Sequence, residues 1–473
     1  MLNRLHNLDR SQMERLHNSC MQILATEGIV FHEPEAIQIF QQNGFQVDGE
    51  KVFFTEKQVM DALKTVPHEF TIQARNPEKS VTIGGNQTVL SPGWGAPFVI
   101  DAQGIRRSAT SEDCDHFCKL AQTSPHLDMA ASSMVIPEDL PAKTATAEML
   151  ASCFTLTDMP LTTNACTREN ALETAEIAAI VWGNKEAVTE KPVSIVSVNP
   201  LSPLTYTPEA AGGLIEFARQ GQALLISSMV LAGISGPVTL AGAIVTEMSE
   251  SLAGIVLAQL ARPGAPCVFG GTSSSADLRL GSSVIGTPEL IQFMSVSTQM
   301  AQFYGIPCRY GGGLTDALTP DIQAGAESAM AIALSMVSGV HYMHQACGIL
   351  GTYTAMSFEK FVIDEEIGGF VKRALQPIEI TDETLGLDVI HRNAETGTFL
   401  YDQATLDRCR TEFFMPNLAQ RTSYSNWVDS GRPEIVAIAS KYVQKRLQDY
   451  EKPETDSAVE KELQDYIQSK RKS

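Results

Sequence analysis

The feature that most constrains the fold is a regular alternation of short apolar runs with amphipathic helical stretches from about residue 88 onward. The apolar runs have the length and composition of buried strands, and each is followed by a stretch with helical periodicity. The runs begin at Val89, Leu127, Pro160, Val193, Ala223, Ala265, Pro307 and His341, and the helical stretches are Ser111–Gln122, Ala142–Thr157, Glu169–Trp182, Pro208–Arg219, Val238–Ala261, Pro288–Tyr304, Asp321–Val337 and Phe358–Leu375. Eight consecutive strand–helix units predict a closed parallel (β/α)8 TIM barrel rather than an open doubly wound sheet.

Local signals support these boundaries and mark two extensions. Thr207-Pro208, Thr287-Pro288 and Thr319-Pro320 each place an N-cap residue before a proline at the first helical position. The predicted organisation is an N-terminal helical and β extension over residues 1–87, a catalytic barrel over 88–379 and a C-terminal helical extension over 380–473.

Charge and cysteine usage limit the partners and the compartment. The formal net charge of −20 argues against a nucleic-acid or anionic-membrane partner. Ser235-Gly236-Pro237 interrupts the charge-free run that ends before Glu247, so this run is interpreted as a buried strand and a buried helix, not a membrane span. The nine cysteines are scattered and include no Cys-x-x-Cys pair, and no signal-peptide pattern follows Met1. These features predict a cytoplasmic protein with reduced thiols.

The active site of such a barrel lies at the carboxyl ends of its strands, here called the mouth. The predicted loops there are rich in glycine, as in Gly311-Gly312-Gly313, which lets the backbone approach a ligand. None of the predicted strands contains a lysine, so no Schiff-base nucleophile is evident. Glu138, Asp139 and Asp316 are possible acids, but they do not form the close carboxylate pair of a glycosidase.

The last predicted strand carries residues that bind metals in other proteins. His341, His344 and Cys347 are three residues apart, so along an extended strand they alternate between opposite faces and cannot converge on one ion. We therefore predict no metal site. If His344 points inward, it lies beside the small residues Ala346 and Gly348 at the mouth, where it could contact a ligand or serve a structural role.

Several stretches, taken in order, resemble the trimethylamine methyltransferase superfamily. They are Asn199–Leu204, Gly236–Gly242, Gln259–Pro266, Thr315-Asp316 with Pro320–Gly325, Ser357–Ile367, Phe414–Pro416 and Tyr424–Trp427. Each motif alone is weak, and it is their order and spacing from about Trp94 to Trp427 that carries the resemblance. The resemblance implies transfer of a methyl group from an amine to the Co(I) corrinoid (cobalamin) of a separate partner protein.

The resemblance also narrows the substrate. The trimethylamine enzymes of this family carry pyrrolysine near the end of the seventh strand, whereas this chain has ordinary residues around Gly311–Gly313. This departure favours the pyrrolysine-free branch, whose members resemble demethylases of glycine betaine, proline betaine and carnitine. A quaternary ammonium already has a neutral amine as its leaving group, so no general acid is needed. Glycine betaine is favoured because small side chains dominate the mouth.

The implied chemistry selects candidate substrate-binding residues. A trimethylammonium group calls for aromatic faces, and a betaine carboxylate calls for hydrogen-bond donors. The aromatic candidates are Trp94, Phe98, Phe269, Tyr310 and Tyr353, and the polar or backbone candidates are Asn199, Gly312, Asp316 and His344.

Two other functions are compatible with the same residues. A phosphate-binding barrel would use Gly311–Gly313 with Arg309 or Arg279, and inorganic phosphate would then compete with the ligand. A quaternary-amine binding protein would bind a betaine without transferring its methyl group. Whichever function applies, the chain is predicted to form a homo-oligomer, because large acidic barrels with helical extensions often do.

Overall fold

The computed structural model describes residues 4–163, 166–279, 281–395 and 397–472, and a closed barrel forms its centre. The eight barrel strands are β1 Val89–Leu90, β2 Ala130–Ala131, β3 Leu161–Thr162, β4 Ser194–Val198, β5 Ala223–Ser228, β6 Cys267–Gly271, β7 Cys308–Arg309 and β8 Tyr342–Met343. They are parallel and follow one another in chain order, with β8 paired to β1. The ring closes where the backbone N–H groups of Asp128 and Met129 donate to the Leu90 carbonyl over 3.0 and 3.2 Å.

Each barrel strand is followed by a helix on the outside of the ring. These helices are α1 Ser111–Gln122, α2 Ala145–Leu156, α3 Arg168–Trp182, α4 Pro208–Arg219, α5 Leu240–Ala261, α6 Pro288–Tyr304, α7 Ile322–Ser338 and α8 Phe358–Leu375. The predicted (β/α)8 barrel is confirmed. One start signal was wrong, because Asp321 and not Thr319 caps α7, its carboxylate accepting from the Ala324 N–H over 3.0 Å.

A β-hairpin closes the end of the barrel opposite the mouth. Its strands are Glu69–Ile72 and Val81–Gly84, close to the small β element predicted for Phe70–Ile83. Phe70, Ile72 and Ile83 form one buried cluster with inward-facing residues of the barrel, which are Val89, Met129, Ile195, Ala223, Leu225, Val268 and Tyr342. The same cluster identifies the alternate strand positions that face the interior.

The N-terminal helices cover the outside of α5. They are Arg10–Thr26, Pro34–Gln42 and Glu56–Leu63. Within the described part of the chain one helix, α5, is long and apolar enough to cross a membrane by length and composition, and 72% of its most apolar window is buried inside the protein. The run before Glu247 thus forms strand β5 and the first part of helix α5, as predicted.

Two small sheets are built from the loops at the mouth. One joins Phe98–Ile100, Arg106–Ser108, Ile349–Leu350 and Ala355–Met356, which follow β1 and β8. The other joins Leu231–Ala232, Ser274–Asp277 and Ser282–Ser283, which follow β5 and β6. These sheets brace the loops that surround the site.

The chain after α8 continues as short helices and two longer ones. They are Asp382–Leu385, Leu387–Asn393, Gln403–Arg408, Tyr424–Asp429, Ile435–Gln448 and Ser457–Lys472. The last helix is docked on the barrel: Tyr466 donates to Glu176 on α3 over 2.7 Å, and Leu463 is buried. By contrast, the segment from Ile378 to Tyr424 leaves many large apolar side chains exposed.

Candidate active site

An arginine on β7 occupies the interior of the barrel. Arg309 is 2% exposed, and its Nη1 donates to the Ser227 hydroxyl on β5 over 3.2 Å and to the Gly271 carbonyl. The neighbouring strand β6 presents Gly270 on its inner face, where a Cβ would collide with the Arg309 carbonyl oxygen and lie 3.2 Å from the Arg309 Cβ. Glycine at this position therefore permits the close approach of β6 to the backbone of Arg309.

Aromatic rings and an imidazole form a wall next to this arginine. The His344 ring lies 5.7 Å from the Tyr342 ring in a stacked arrangement and 6.1 Å from the Trp94 ring. Trp94 Nε1 donates to the Thr163 carbonyl over 3.0 Å, and the Tyr342 hydroxyl pairs with the Thr162 hydroxyl over 2.5 Å. These bonds fix the orientation of the Trp94 and Tyr342 rings on either side of His344, so the wall is preorganised for a ligand.

Four buried polar atoms at the mouth have no hydrogen-bond partner among the described residues. They are His344 Nε2, Arg309 Nε, Gln345 Oε1 and Tyr353 Oη. Buried polar atoms are normally satisfied, so four orphans on neighbouring residues point to groups that a ligand supplies.

The pKa shifts of His344, Arg309 and Tyr353 are linked by electrostatic interactions with Arg309. Burial holds the pKa of His344 well below its usual range, and Arg309 lowers it further, which keeps the imidazole neutral. Burial also lowers the pKa of Arg309, although a guanidinium remains charged at neutral pH. Burial raises the pKa of Tyr353 to about 12, and Arg309 acts in the opposite direction. Arg309, His344 and Tyr353 thus lie close enough to influence one another.

Asn199 lies at the edge of the mouth at the end of β4. Its Nδ2 donates to the Ser227 carbonyl over 2.8 Å, and its Oδ1 accepts from the Ser197 hydroxyl over 3.1 Å. The side chain remains exposed. Asn199 and Arg309 are therefore held by the same residue of β5, Ser227.

The structure brings Trp94, Asn199, His344 and Tyr353 to the site but places two of the aromatic candidates elsewhere. Phe269 and Tyr310 face the helix layer, because successive side chains of a strand point to opposite sides and their neighbours Val268 and Arg309 point inward. The Phe269 ring packs 6.3 Å from the Tyr304 ring.

The remaining three candidates position loops at the mouth. Phe98 belongs to the sheet after β1, with the Arg106 guanidinium 4.4 Å from the centre of its ring.

Asp316 accepts from the N–H groups of Ile285 and Gly286 and from the Thr352 hydroxyl. A Cβ on Gly312 would collide with the carbonyl oxygen of Gln345, in the loop after β8.

From the sequence, Arg309 was predicted only as a candidate phosphate ligand, and its position in the barrel interior was not predicted. The available signal was a basic residue between Cys308 and Tyr310, within an otherwise apolar strand. Tyr342 was also missed, because a tyrosine in a buried strand is usually a core residue.

A carboxyl group lies directly behind the site, between β6 and the helix layer. Glu247 on α5 accepts from the Tyr310 hydroxyl over 3.1 Å and from the Ser297 hydroxyl. Burial raises the pKa of Glu247 to about 7, opposed by hydrogen bonds from Ser273, Ser297 and Tyr310. A Cβ on Gly271 would collide with this carboxyl, so a larger residue at the end of β6 would displace the Glu247 carboxyl from its present position.

We expect Glu247→Gln to change how the free energy of unfolding depends on pH. The folded-state pKa of about 7 lies above the ordinary 4.5, so the stability linked to this group is complete below about pH 4.5 and is lost as the pH rises through about 7. Relative to the variant, the natural protein should lose up to about 3 kcal/mol over this window. Urea unfolding at about pH 5 and about pH 8 measures the effect, and a pH-independent difference would contradict it.

Comparison with known proteins identifies the family of this chain. A family model described as trimethylamine methyltransferase (MTTB) matches residues 1–473. The chain belongs to the trimethylamine methyltransferase family. The glycine betaine methyltransferase of Desulfitobacterium hafniense strain Y51 is 38% identical over 467 residues, which cover 99% of this chain and 97% of that protein. The trimethylamine methyltransferase MttB2 of Methanosarcina mazei is 30% identical over 468 residues, which cover 96% and 92% of the two chains.

A solved structure supports the fold of this trimethylamine methyltransferase family member. The crystal structure of the monomethylamine methyltransferase MtmB of Methanosarcina barkeri superposes with a TM-score of 0.56 at 12% identity. The match covers 96% of this chain and 90% of that chain. At this identity the likeness is one of fold, so the chemistry has to be argued from the site.

Proposed function

We propose that this methyltransferase transfers one methyl group from a quaternary amine, with glycine betaine favoured, to the Co(I) corrinoid of a partner protein. The observation that carries the proposal is the wall of Trp94, His344 and Tyr342, which extends from the mouth into the barrel interior and whose imidazole is neutral. Ring faces attract a trimethylammonium group by about 0.5–2 kcal/mol each. A site built from rings and a neutral imidazole suits a cation that needs no proton transfer.

The chemistry requires positioning rather than acid–base catalysis. The bond between nitrogen and one methyl carbon breaks, and its electron pair stays on nitrogen to give a neutral tertiary amine, here dimethylglycine. Co(I) supplies the electron pair for the new bond to carbon and becomes methyl-Co(III), so no proton changes place. The protein has to hold the cation, align one methyl group with the acceptor and keep water out.

Two comparisons support a betaine over trimethylamine. The relative at 38% identity is a glycine betaine methyltransferase. Ordinary residues stand at Gly311–Gly313, where the resemblance places pyrrolysine in the trimethylamine enzymes. Proline betaine and carnitine are the alternative substrates for the same reaction.

An apolar rim at the mouth supports a protein partner that delivers the corrinoid. The rim consists of exposed side chains on the loops after β4, β5, β6 and β7, which are Leu201, Ile234, Val238, Leu278 and Leu318. Leu278 and Val238 meet around Gly233, since a Cβ there would lie 3.2 and 3.5 Å from them. Several large apolar side chains exposed on neighbouring loops are typical of interaction sites.

We expect Val238→Asp to raise the KM for the corrinoid protein about tenfold, because the new charge would be desolvated in the complex. The rate with free Co(I) cobalamin should stay unchanged. Val238 is 66% exposed, so the substitution leaves the core intact. Ile380→Asp, at an equally exposed apolar side chain of the C-terminal extension, is the matched control. Equal effects of both substitutions on the KM would argue against docking at the rim.

The experiment that tests the proposed function is an anaerobic assay with chemically reduced Co(I) cobalamin or a corrinoid protein. Glycine betaine, proline betaine, carnitine and trimethylamine are supplied separately, and the conversion of the Co(I) spectrum to that of methyl-Co(III) is followed. We expect methylation with a quaternary amine and not with trimethylamine. Binding of a betaine without methylation would instead identify a binding protein.

The phosphate-binding alternative is less well supported. The Gly313 N–H already donates to the Gln345 carbonyl over 2.9 Å, so it is not available to cradle a phosphate. Arg279 is exposed and paired with Asp277. Competition by inorganic phosphate would favour this alternative. The homo-oligomer and the cytoplasmic location stay predictions from the sequence.

A further inference from the structure

Arg309 is a buried cation that lacks a carboxylate partner. Among the residues that the structure describes, no aspartate or glutamate oxygen lies within 4.0 Å of its guanidinium nitrogens, and its Nε has no hydrogen-bond partner. Its two protein contacts are to neutral oxygens, those of Ser227 and Gly271. A carboxyl group that acts on the pKa of Arg309 is that of Glu247, which lies behind β6 and is engaged by Tyr310 and Ser297.

Among the lysine and arginine residues that the structure describes, the other two that are buried are paired. Lys360 contacts Asp364 over 2.5 Å with both side chains at most 1% exposed, and Arg446 contacts Glu365 over 2.7 Å. A buried charge without a counter-ion is costly, which is why such groups are almost always paired. The exception at Arg309 therefore needs an anion from outside the chain.

The position of Arg309 indicates which anion this is. It lies close enough to lower the pKa of His344, and the wall formed by His344, Trp94 and Tyr342 suits a trimethylammonium group. One ligand that satisfies both features carries a cation and an anion a short distance apart. Carboxylates match the donor fork of a guanidinium.

We propose that Arg309 binds the carboxylate of the substrate and so restricts the site to quaternary amines that carry a carboxylate. This inference rests on the proposed function and names the substrate class of the same site. His344 and Asn199 were the residues expected from sequence for this role. Arg309 differs from both because it has the full opposite charge and an unused N–H.

The first test changes the ligand and leaves the protein intact. Binding of glycine betaine, its methyl ester and choline to the natural protein is measured by calorimetry without any corrinoid. The ester keeps the ammonium and the carbonyl, adds one methyl group and loses the negative charge, whereas choline loses the carboxylate without added bulk. We expect the ester and choline to bind about 100-fold more weakly than glycine betaine, as the loss of a charge-assisted pair predicts. Equal affinities for the three ligands, or no binding of glycine betaine, would overturn the proposal.

The second test changes the arginine. Arg309→Met should weaken glycine betaine binding about 100-fold and leave the weak binding of choline within about threefold. Arg309→Lys keeps the positive charge but lacks the paired N–H donors of the guanidinium. It should therefore bind glycine betaine more tightly than Arg309→Met and more weakly than the natural protein. Arg279→Met, at an arginine 88% exposed, is the matched control and should bind like the natural protein. Thermal unfolding establishes that each variant is folded.

The outcomes separate this inference from the proposed function. If Arg309→Met weakens glycine betaine and choline equally, the arginine only supports the fold of the site, and the inference fails. If the natural protein methylates Co(I) as well from choline as from glycine betaine, the proposed function stands and the inference fails. If binding follows the charge of the ligand but no methyl group is transferred, the inference stands and the proposed function fails.

Discussion

Lys360→Met is expected to lower the free energy of unfolding by about 3–5 kcal/mol. Lys360 and Asp364 are one turn apart on α8, and both are buried. Asp364 also accepts from the Gly348 N–H over 3.0 Å, which ties the loop after β8 to the helix. Methionine has a similar length, so the loss arises from the carboxylate left buried without its cation. Chemical unfolding followed by tryptophan fluorescence measures the difference at neutral pH.

A pair with the same spacing provides the control for this prediction. Lys57 and Asp61 are also four residues apart, but their side chains are 85% and 44% exposed. Lys57→Met should therefore have little effect, since exposed pairs contribute little. Replacing both buried partners, as in Lys360→Met with Asp364→Leu, should recover part of the lost stability. Similar losses for Lys360→Met and Lys57→Met would show that burial does not decide the effect.

Trp94→Ala is expected to lower kcat/KM for the quaternary amine about 100-fold. The substitution removes an aromatic face from the site and the ring next to His344, at a centroid distance of 6.1 Å. It also removes the Nε1–H that donates to the Thr163 carbonyl and orients the ring. The variant should therefore lose both the contact with the substrate cation and the alignment of its methyl group, and both losses lower kcat/KM. Initial rates of Co(I) methylation at several amine concentrations measure this effect.

Two variants separate the cation contact from a general loss of packing. Trp94→Phe keeps an aromatic face and should restore most of the activity. Trp182→Ala removes a tryptophan on α3 whose ring packs 5.4 Å from Phe154, far from the mouth in the fold, and should leave kcat/KM unchanged. If Trp94→Phe is as inactive as Trp94→Ala, the ring face is not what the substrate requires.

The barrel could be predicted because its signals are local. Helices α4 and α6 begin at the prolines that follow Thr207 and Thr287, and in both cases the threonine hydroxyl accepts from an N–H of the first turn. Helix α7 shows the limit of such signals, since Thr319 competes with the better acceptor Asp321. The alternation of strands and helices then leaves few arrangements in which every apolar face is covered.

The site was harder to predict because it depends on which way each strand faces. A shift of one residue exchanges the inner and outer faces of a strand. Tyr310 was expected at the mouth for its chemistry, yet its neighbour Arg309 takes the inner face and turns Tyr310 toward Glu247. The bounds of a strand as short as Cys308–Arg309 do not settle this orientation.

Contacts between distant parts of the chain were also beyond the sequence. Ser227 joins Asn199 and Arg309, and nothing in the three local sequences indicates that β4, β5 and β7 share this residue. Tyr353 reaches the site from a loop in which its own φ is 69°, a conformation rarely expected of tyrosine. Such positions follow only from the closed barrel and its loops.

The central claim, transfer of a methyl group from a betaine, is tested most directly by labelling the substrate. Glycine betaine with three deuterated methyl groups is incubated anaerobically with the protein and a reduced corrinoid acceptor, and both products are analysed by mass spectrometry. We predict trideuteromethyl-cobalt and dimethylglycine with two deuterated methyl groups in equal amounts. Methyl-cobalt without the label, or labelled glycine betaine recovered unchanged after binding, would contradict the account.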